Sequence, residues 1–442
     1  MIKMKIIKAL IIITIAIIAG GTARGQSGFS VKDVNARLSE KRTFEPTKIA
    51  VEEAHYVGID YITAADSLIM RNSGIILQND LDFSPYFENV PLDTFFMRHM
   101  ELDRMTLLGW KRLAAQYVVQ LEVEFPRNNI TIRYRLFSTD SEREIRRERF
   151  ETAKSDYRAL VHEIANDIVK ALLGDEGIYR TKIAYSKKLG DATELFIADF
   201  DGQNERQLTN NGSINILPSF SPDGQYIYFT SYMDDEPRVY MLNLKTNSVD
   251  LIASYPGLNT APAVSPDGKT LACVLSKDGN SEIYLLERNG KIKRRLTNTW
   301  SIETAPTWSP DGKEIAFTSD RTGSPQIYVM DKEGLNVRRI SYQGNYNDSP
   351  SWSPRGDKII FASRDGRFQI VSVDIMGRDF RVLADFGDNE NPEFSPDGNH
   401  IVFASNRMGV KDIYTMDIFG QNQRKISSGG GCTNPAWSPY LK

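Results

Sequence analysis

From about residue 178 onward, short apolar runs alternate with turn residues in a pattern that repeats along the chain. Runs such as Ile315-Ala-Phe317 and Ile327-Tyr-Val329 have the length and composition of buried or half-buried strands. Each unit also carries the sequence Ser-Pro-Asp-Gly or a close variant, which is typical of a tight turn. Proline fixes the φ angle of the second turn residue, aspartate can form a local side-chain hydrogen bond, and glycine has a permissive backbone. Successive motif prolines are 42 to 44 residues apart, a period typical of four-stranded propeller blades. These prolines are Pro222, Pro266, Pro310, Pro354, Pro396 and Pro439.

The pattern also predicts how the ring of blades closes. The pair formed by the second and third strands occurs six times, but the first pair, beginning at Ile183, lacks a Ser-Pro strand before it. A spare copy, Asn434-Pro-Ala-Trp-Ser438, stands near the end of the sequence. If this strand completes the first blade, no sheet edge stays open. We therefore expect an all-β six-bladed propeller closed by its C-terminal strand.

The motif aspartates predict turns rather than calcium sites. Each turn supplies one carboxylate, whereas calcium takes six to eight oxygen ligands. We expect no metal and no other cofactor.

The preceding residues have mixed periodicity and predict an α/β N-terminal domain over 46–174, followed by a propeller over 178–442. Residues 48–51 predict a strand, and residues 60–72 a helix that begins at Asp60 or Thr63. The segments 117–125 and 130–137 alternate strongly and predict a hairpin, and 156–173 predicts an amphipathic helix that stops at Gly174. Asp103 is a further helix-start signal.

One stretch of this domain is rich in arginine and could be an anion site. Glutamates 142, 144 and 148 are interleaved with the arginines and favour a solvated strand face instead. The arginines are Arg133, Arg135, Arg143, Arg146, Arg147 and Arg149.

The first residues have the pattern of a secretory signal peptide. Lys3, Lys5 and Lys8 precede an apolar run over 9–19, and small residues lead to a possible cleavage site before Gln26. The alternative is an uncleaved anchor. Residues 26–45 are polar and predict a flexible N-terminal segment.

Charge and cysteine content limit the cellular compartments and the classes of partner that we expect. The chain has 54 basic and 57 acidic residues, so its net charge of −3 gives no reason to expect nucleic acid or direct membrane binding. Its two cysteines, Cys273 in a buried strand and Cys432 in a glycine-rich loop, predict free thiols. An exported protein without a disulfide framework fits the periplasm.

The lack of recognisable catalytic motifs in the sequence predicts a binding module rather than an enzyme. The chain has four histidines, none of them paired at metal-ligand spacing, and no nucleophile elbow or phosphate-binding loop. Because strands alternate in direction, the loops after the second and fourth strands share one rim. These loops are longer and more variable than the Ser-Pro-Asp-Gly turns of the other rim, so we expect partners there.

Signal peptide, α/β domain and Ser-Pro-Asp-Gly blades together resemble the TolB family of the Tol–Pal system over nearly the whole mature chain. The stretch Leu108-Gly-Trp110 before Tyr117 is similar to a family motif, and Thr181-Lys-Ile-Ala-Tyr185 resembles the family's domain junction. The resemblance implies a periplasmic scaffold that supports outer-membrane integrity and constriction during division. It implies a monomer that meets membranes only through its partners.

The resemblance also implies two partners and where they bind. The propeller rim would bind the lipoprotein Pal, and the N-terminal segment would bind the inner-membrane protein TolA through Gln26, Phe29, Val31 and Asp33. Together with the loop argument, it places partner contacts on the rim at Asn259, Thr260, Ala261, Glu303, Thr304, Asn347, Asp348 and Asn391.

Two alternatives to this scaffold function are open. Similar repeats precede hydrolases of the prolyl-oligopeptidase type, but those need an α/β-hydrolase domain that we do not expect here. A propeller of this kind could also bind another exported protein or a glycan, for which Tyr232, Trp300 and Tyr346 are candidate rim aromatics.

Overall fold

The computed structural model describes residues 45–59, 61–91 and 104–441. The predicted signal peptide, nearly all of the predicted flexible segment with its four partner residues, and the helix-start signals Asp60 and Asp103 lie outside them. The domain boundaries given above remain predictions.

The N-terminal α/β region is a sheet with helices on both faces. The strand order is β3-β1-β4-β5-β6, β2 also pairs with β4, and β1 runs parallel to both of its neighbours. The strands are β1 Thr47–Val51, β2 His55–Tyr56, β3 Phe87–Asn89, β4 Tyr117–Glu124, β5 Asn129–Ser138 and β6 Arg143–Ala153. The helices are α1 Ala64–Phe83, α2 Arg104–Arg112 and α3 Tyr157–Leu173.

Helix α1 begins as the sequence predicts but is longer than expected. Thr63 and Asp66 form a capping box, in which each side chain accepts a hydrogen bond from the other residue's backbone N–H. The predicted end near residue 72 is wrong, because the helix continues through Ser73 and Gly74 to Phe83. Its last turns bury Leu77 and Leu81, so core packing outweighs the local stop signal.

The predicted hairpin, strand β1 and helix α3 are confirmed, and α3 ends at Gly174 in the left-handed conformation. The arginine stretch forms β6 and part of β5, where Arg133 pairs with Glu122 at 2.7 Å and Arg135 with Glu144 at 2.7 Å. These ion pairs agree with a charged strand face rather than an anion site.

Six four-stranded antiparallel sheets follow and form the predicted propeller. Blade 1 comprises β7 Lys182–Leu189, β8 Ala192–Asp199, β9 Arg206–Gln207 and, innermost, β30 Cys432–Trp437. Blade 2 comprises β10 Asn215–Phe220, β11 Tyr226–Asp234, β12 Glu236–Asn243 and β13 Val249–Ala253. Blade 3 comprises β14 Asn259–Val264, β15 Thr270–Leu275, β16 Glu282–Glu287 and β17 Ile292–Arg295.

The remaining three blades have the same order from the channel outward. Blade 4 comprises β18 Glu303–Trp308, β19 Glu314–Ser319, β20 Gln326–Asp331 and β21 Arg338–Arg339. Blade 5 comprises β22 Tyr346–Trp352, β23 Lys358–Asp365, β24 Arg367–Asp374 and β25 Arg381–Ala384. Blade 6 comprises β26 Asn389–Phe394, β27 His400–Ser405, β28 Asp412–Asp417 and β29 Arg424–Lys425.

The closing strand β30 pairs with β7, as the sequence predicts. Trp437 is buried, and its Nε1 donates to Thr181 Oγ1 at 2.8 Å. Both cysteines are free and buried, but Cys432 opens β30 instead of lying in a loop, which corrects that prediction. Pairing with β7 draws the end of the glycine-rich stretch into the sheet.

Candidate functional site

The innermost strands surround a central channel of about 540 Å³. In each of them the residue before the proline has a positive φ, between 48° and 56°, and the pairing register shifts there. Such a bulge bends the strand. Proline has no N–H, so it adds no unpaired donor to the interrupted ladder. The six residues before proline are Leu217, Ala261, Ala305, Ser349, Asn391 and Asn434.

The two ends of the channel differ. We call "turn rim" the end that carries the Ser-Pro-Asp-Gly turns and the hairpins between third and fourth strands. We call "open rim" the end that carries the loops after second and fourth strands. The antiparallel pairing within every blade places these loops as the sequence predicts.

The N-terminal α/β region packs against the turn rim. Tyr86 Oη donates to Asn399 Oδ1 at 3.0 Å, and Asn422 Nδ2 donates to the carbonyl of Asp82 at 2.8 Å. Arg158 of α3 forms an ion pair with Asp201, in the hairpin after β8, at 2.5 Å. A single buried cluster continues from the N-terminal sheet into blades 1 and 6. The turn rim therefore has a structural role over this area.

Three of the predicted contact residues are buried at the open rim. The side chains of Asn259, Glu303 and Asn347 belong to residues at most 1% exposed. Asn259 donates to the carbonyls of Tyr255 and Gly257 and so closes its own loop. In this conformation the three side chains are turned inward, and their role as partner contacts stays a prediction.

Glu303 is held in the interior by several hydrogen bonds. Its carboxylate accepts hydrogen bonds from Arg321 at 3.0 Å, Ser319 at 3.0 Å and Thr299 at 2.9 Å, and so joins the loops of neighbouring strands. Burial raises the pKa of Glu303, although these partners oppose that effect. All three bonds end on Oε1 and tie Glu303 to the neighbouring loops, whereas Oε2 has no hydrogen-bond partner among the described residues.

The other predicted rim residues lie around the mouth of the channel and are partly buried. Thr260 contacts Thr230 of the preceding blade at 3.0 Å. Asp348 accepts from Thr318 Oγ1 at 2.8 Å, and Asn391 donates to Ser349 at 3.2 Å. Ala261, Thr304, Asp348 and Asn391 line the channel itself. Their role in partner binding stays a prediction.

The channel is acidic. Among the described residues that line it, the ionisable side chains are Asp348 and Glu393. Burial raises the pKa of Asp348, and it raises that of Glu393 to about 8. The sequence analysis missed Glu393, although the equivalent position of every other blade holds serine, alanine or threonine. That single departure from the repeat was the available signal.

The loops of the open rim also carry exposed apolar side chains. Trp300 is fully exposed, and Met408 is 71% exposed. Exposed apolar side chains of this size are common on protein contact surfaces. The large ones among the described residues are Leu189, Ile214, Trp300, Ile302, Tyr342, Phe386, Met408 and Val410.

The described residues form neither a metal site nor a membrane-spanning helix. No cluster of three or more histidine, cysteine, aspartate or glutamate side chains there could hold a metal ion. No helix within those same ranges is long and apolar enough to cross a membrane.

Comparison with known proteins places both folded regions in one family. The TolB amino-terminal domain matches residues 40–145, and the TolB β-propeller domain matches residues 169–441. The Tol–Pal system protein TolB of Cereibacter sphaeroides is 32% identical over 219 residues, which are 48% of this chain and 49% of that protein. TolB of Desulfosudis oleivorans is 35% identical over 176 residues, 39% of this chain and 40% of that protein. The chain spans about half the length of the curated relatives that it matches.

Among solved structures, TolB from Acinetobacter baumannii is 27% identical with a TM-score of 0.79. That alignment covers 90% of this chain and 98% of the crystallised one. The match therefore includes the N-terminal region as well as the blades. The family model of the propeller covers more than half of the sequence, and so the chain belongs to the TolB family.

Proposed function

We propose that this protein is a periplasmic, non-enzymatic scaffold of the Tol–Pal system. Its open rim would hold a Pal-like lipoprotein, and its N-terminal segment would reach a TolA-like inner-membrane protein. Through these contacts it would support outer-membrane integrity and envelope constriction. Family membership supports the general role.

The observation that carries the docking proposal is the contrast between the rims. The N-terminal region packs on the turn rim, whereas the open rim presents exposed apolar side chains in its loops and the Asp348 carboxyl group in the channel. Apolar anchors in the centre of a contact commonly supply most of its binding energy. The carboxylate of Asp348 at the mouth would favour a partner that brings a cation or a hydrogen-bond donor.

Calorimetric titration of the mature chain with the soluble domain of a Pal-like lipoprotein from the same genome tests the proposal. We expect one-to-one binding that weakens roughly tenfold in Met408→Ala, the loss of one well-packed anchor. Met376→Ala is the matched control, because Met376 is 52% exposed on the turn rim. Equal weakening in both variants, or binding that neither affects, would contradict docking on the open rim.

A glycan ligand is the second candidate, favoured by the fully exposed Trp300 on the open rim. Aromatic rings present flat apolar faces that suit sugar rings as well as protein side chains. If the lipoprotein domain gives no heat of binding, the same chain should be titrated with peptidoglycan fragments. Binding there that is lost in Trp300→Ala would favour this candidate over the scaffold function.

A further inference from the structure

Two of the four histidines of the chain meet at the contact between the N-terminal region and the turn rim. His162 comes from α3 and His400 opens β27, and both are almost fully buried. Aromatic rings fill the space between them. His400 stacks on Phe83 at 4.3 Å, and Phe200 lies 5.3 Å from His162 and 5.4 Å from Phe83. Histidine charges in the physiological pH range, so this contact contains groups that can respond to protons.

His400 has an acceptor at each ring nitrogen. Its Nε2 lies 2.9 Å from the carbonyl oxygen of Phe83, which can only accept, so Nε2 carries a hydrogen. Its Nδ1 lies 3.3 Å from Asp397 Oδ2. Asp397 Oδ2 also accepts a hydrogen bond from Asn399 Nδ2 at 3.3 Å. The ring of His400 therefore lies between an acceptor of the N-terminal region and a carboxylate of the propeller.

The carboxyl group of Asp397 is buried beside this ring. Burial alone would raise the pKa of Asp397, but the charge and hydrogen bond of His400, with Ser395 and the Asn399 N–H, hold that pKa below its usual value. The carboxylate therefore stays ionised beside the ring. On the far side of Phe83, the Arg424 guanidinium lies 5.1 Å from the ring centroid and donates to the carbonyl of Asn79.

His162 is placed in the same way between the two regions. Its Nδ1 lies 2.7 Å from Asp80 of α1, and its Nε2 lies 4.0 Å from Asp201 on the propeller. Arg158 of α3 is the facing cation and opposes protonation. Burial lowers the pKa of His162, but the two carboxylates outweigh it, so the pKa is raised. Burial also raises the pKa of Asp80 to about 6, and the pair together retains its proton to higher pH than either group would in water.

We propose that this contact is a proton-operated clamp, in which charged His162 holds the N-terminal region on the propeller and loss of its proton loosens the contact. His162 lies between Asp80 of the N-terminal region and Asp201 of the propeller. The clamp goes beyond the scaffold function, because it couples the proton concentration around the protein to the contact between its two regions.

The direction of the pH dependence follows from linkage. A group whose pKa is raised in the folded protein stabilises it at low pH, and this contribution is lost as pH rises through the raised value. For His162 the loss begins above its ordinary value of 6.5. Asp397 acts oppositely, because its lowered pKa gives stability that is lost only as pH falls below 3.8. Asp80 also has a raised pKa, so the clamp weakens as pH rises, from 3.8 to about 6 through Asp80 and above 6.5 through His162.

Two measurements on the intact mature chain test this proposal. Imidazole resonances in NMR should show one buried histidine that titrates above the pKa of a free imidazole. The Tm should fall by roughly 1–2 °C between pH 6 and pH 8, the size of effect expected for one group in a chain of this length. Radius of gyration from small-angle scattering should rise over the same interval.

Variants separate the clamp from ordinary packing. Asp201→Asn removes a propeller charge on a side chain that is 26% exposed and should lower the titration midpoint of His162. His162→Gln should flatten the change of Tm with pH. An unaltered midpoint in Asp201→Asn would overturn the proposal, as would a wild-type pH slope in a folded His162→Gln protein.

Discussion

The turn rim and the open rim come from the same six repeats, yet they differ in regularity. On the turn rim the motif serine donates to the motif aspartate, at 2.5 Å in Ser221–Asp223 and 2.6 Å in Ser265–Asp267. On the open rim, loop lengths and exposed side chains change from blade to blade. Repetition at one rim closes the blades, and variation at the other leaves room for specific contacts.

The departure from Ser-Pro-Asp-Gly in blade 5 sharpens this comparison. Arg355 stands where the other complete motifs have aspartate, and Ser353 bonds to Asp357 instead, at 2.8 Å. Arg355 donates a hydrogen bond to Asn399 Oδ1 at 2.6 Å. The same oxygen accepts a hydrogen bond from Tyr86 of the N-terminal region. The turn rim thus varies where it contacts another part of the chain.

The largest expected difference in stability is between alanine variants of two tryptophans, one buried and one exposed. Trp437→Ala should lower the free energy of unfolding by about 3–5 kcal/mol, because it empties a buried site on the closing strand. Trp300→Ala on the open rim should change it by less than about 0.5 kcal/mol, since that ring is fully exposed. Urea unfolding of both variants measures the difference. Similar losses in the two would mean that the exposed ring also packs against the fold.

A neighbouring pair on the open rim tests whether burial separates structural from contact residues. Glu303→Ala should cost about 3 kcal/mol, because Arg321 then loses its buried partner. Thr304→Ala, one residue later and lining the channel, should stay within about 0.5 kcal/mol. Chemical denaturation of the two variants checks this. A stable Glu303→Ala protein with impaired partner binding would support Glu303 as a contact.

Each Ser-Pro-Asp-Gly turn should contribute modestly to the free energy of unfolding. Ser309→Ala removes the donor to Asp311 at 2.7 Å and should cost about 1 kcal/mol at pH 7. The Ser309 hydrogen bond, with the Lys313 backbone, lowers the pKa of Asp311 to about 2. Because this pKa is lowered, the ionised Asp311 stabilises the folded state above pH 3.8, and that stabilisation is lost as pH falls toward 2. The free energies of unfolding of the variant and the wild type should therefore converge near pH 2. A difference that stays constant from pH 7 to pH 2 would contradict this account.

The smallest effect at pH 5 belongs to Glu393 in the channel between the rims. Because burial raises its pKa to about 8, the carboxyl is neutral at pH 5, and Glu393→Gln should then change stability by less than about 0.5 kcal/mol. As pH rises from 4.5 to 8, the wild type should lose stability that the variant keeps. Thermal unfolding at pH 5 and pH 8.5 compares them, and parallel curves would show that Glu393 is solvated.

Sequence alone determined the six blades, their closure and the assignment of loops to rims. Strand period, turn chemistry and the spare Pro-Ala-Trp strand are local signals, and strand direction follows from their order. The end of α1 and the position of Cys432 were wrong, because pairing and burial against distant residues outweighed local preferences for a stop or a loop.

Tertiary structure alone decided which polar residues face inward. Asn259, Glu303 and Asn347 have the composition of rim contacts, yet hydrogen bonds to neighbouring loops bury them, and those partners are not visible from spacing. The meeting of His162 and His400 is likewise decided by how the N-terminal region packs on blades 1 and 6. Their separation of more than two hundred residues hides the contact until the chain is folded.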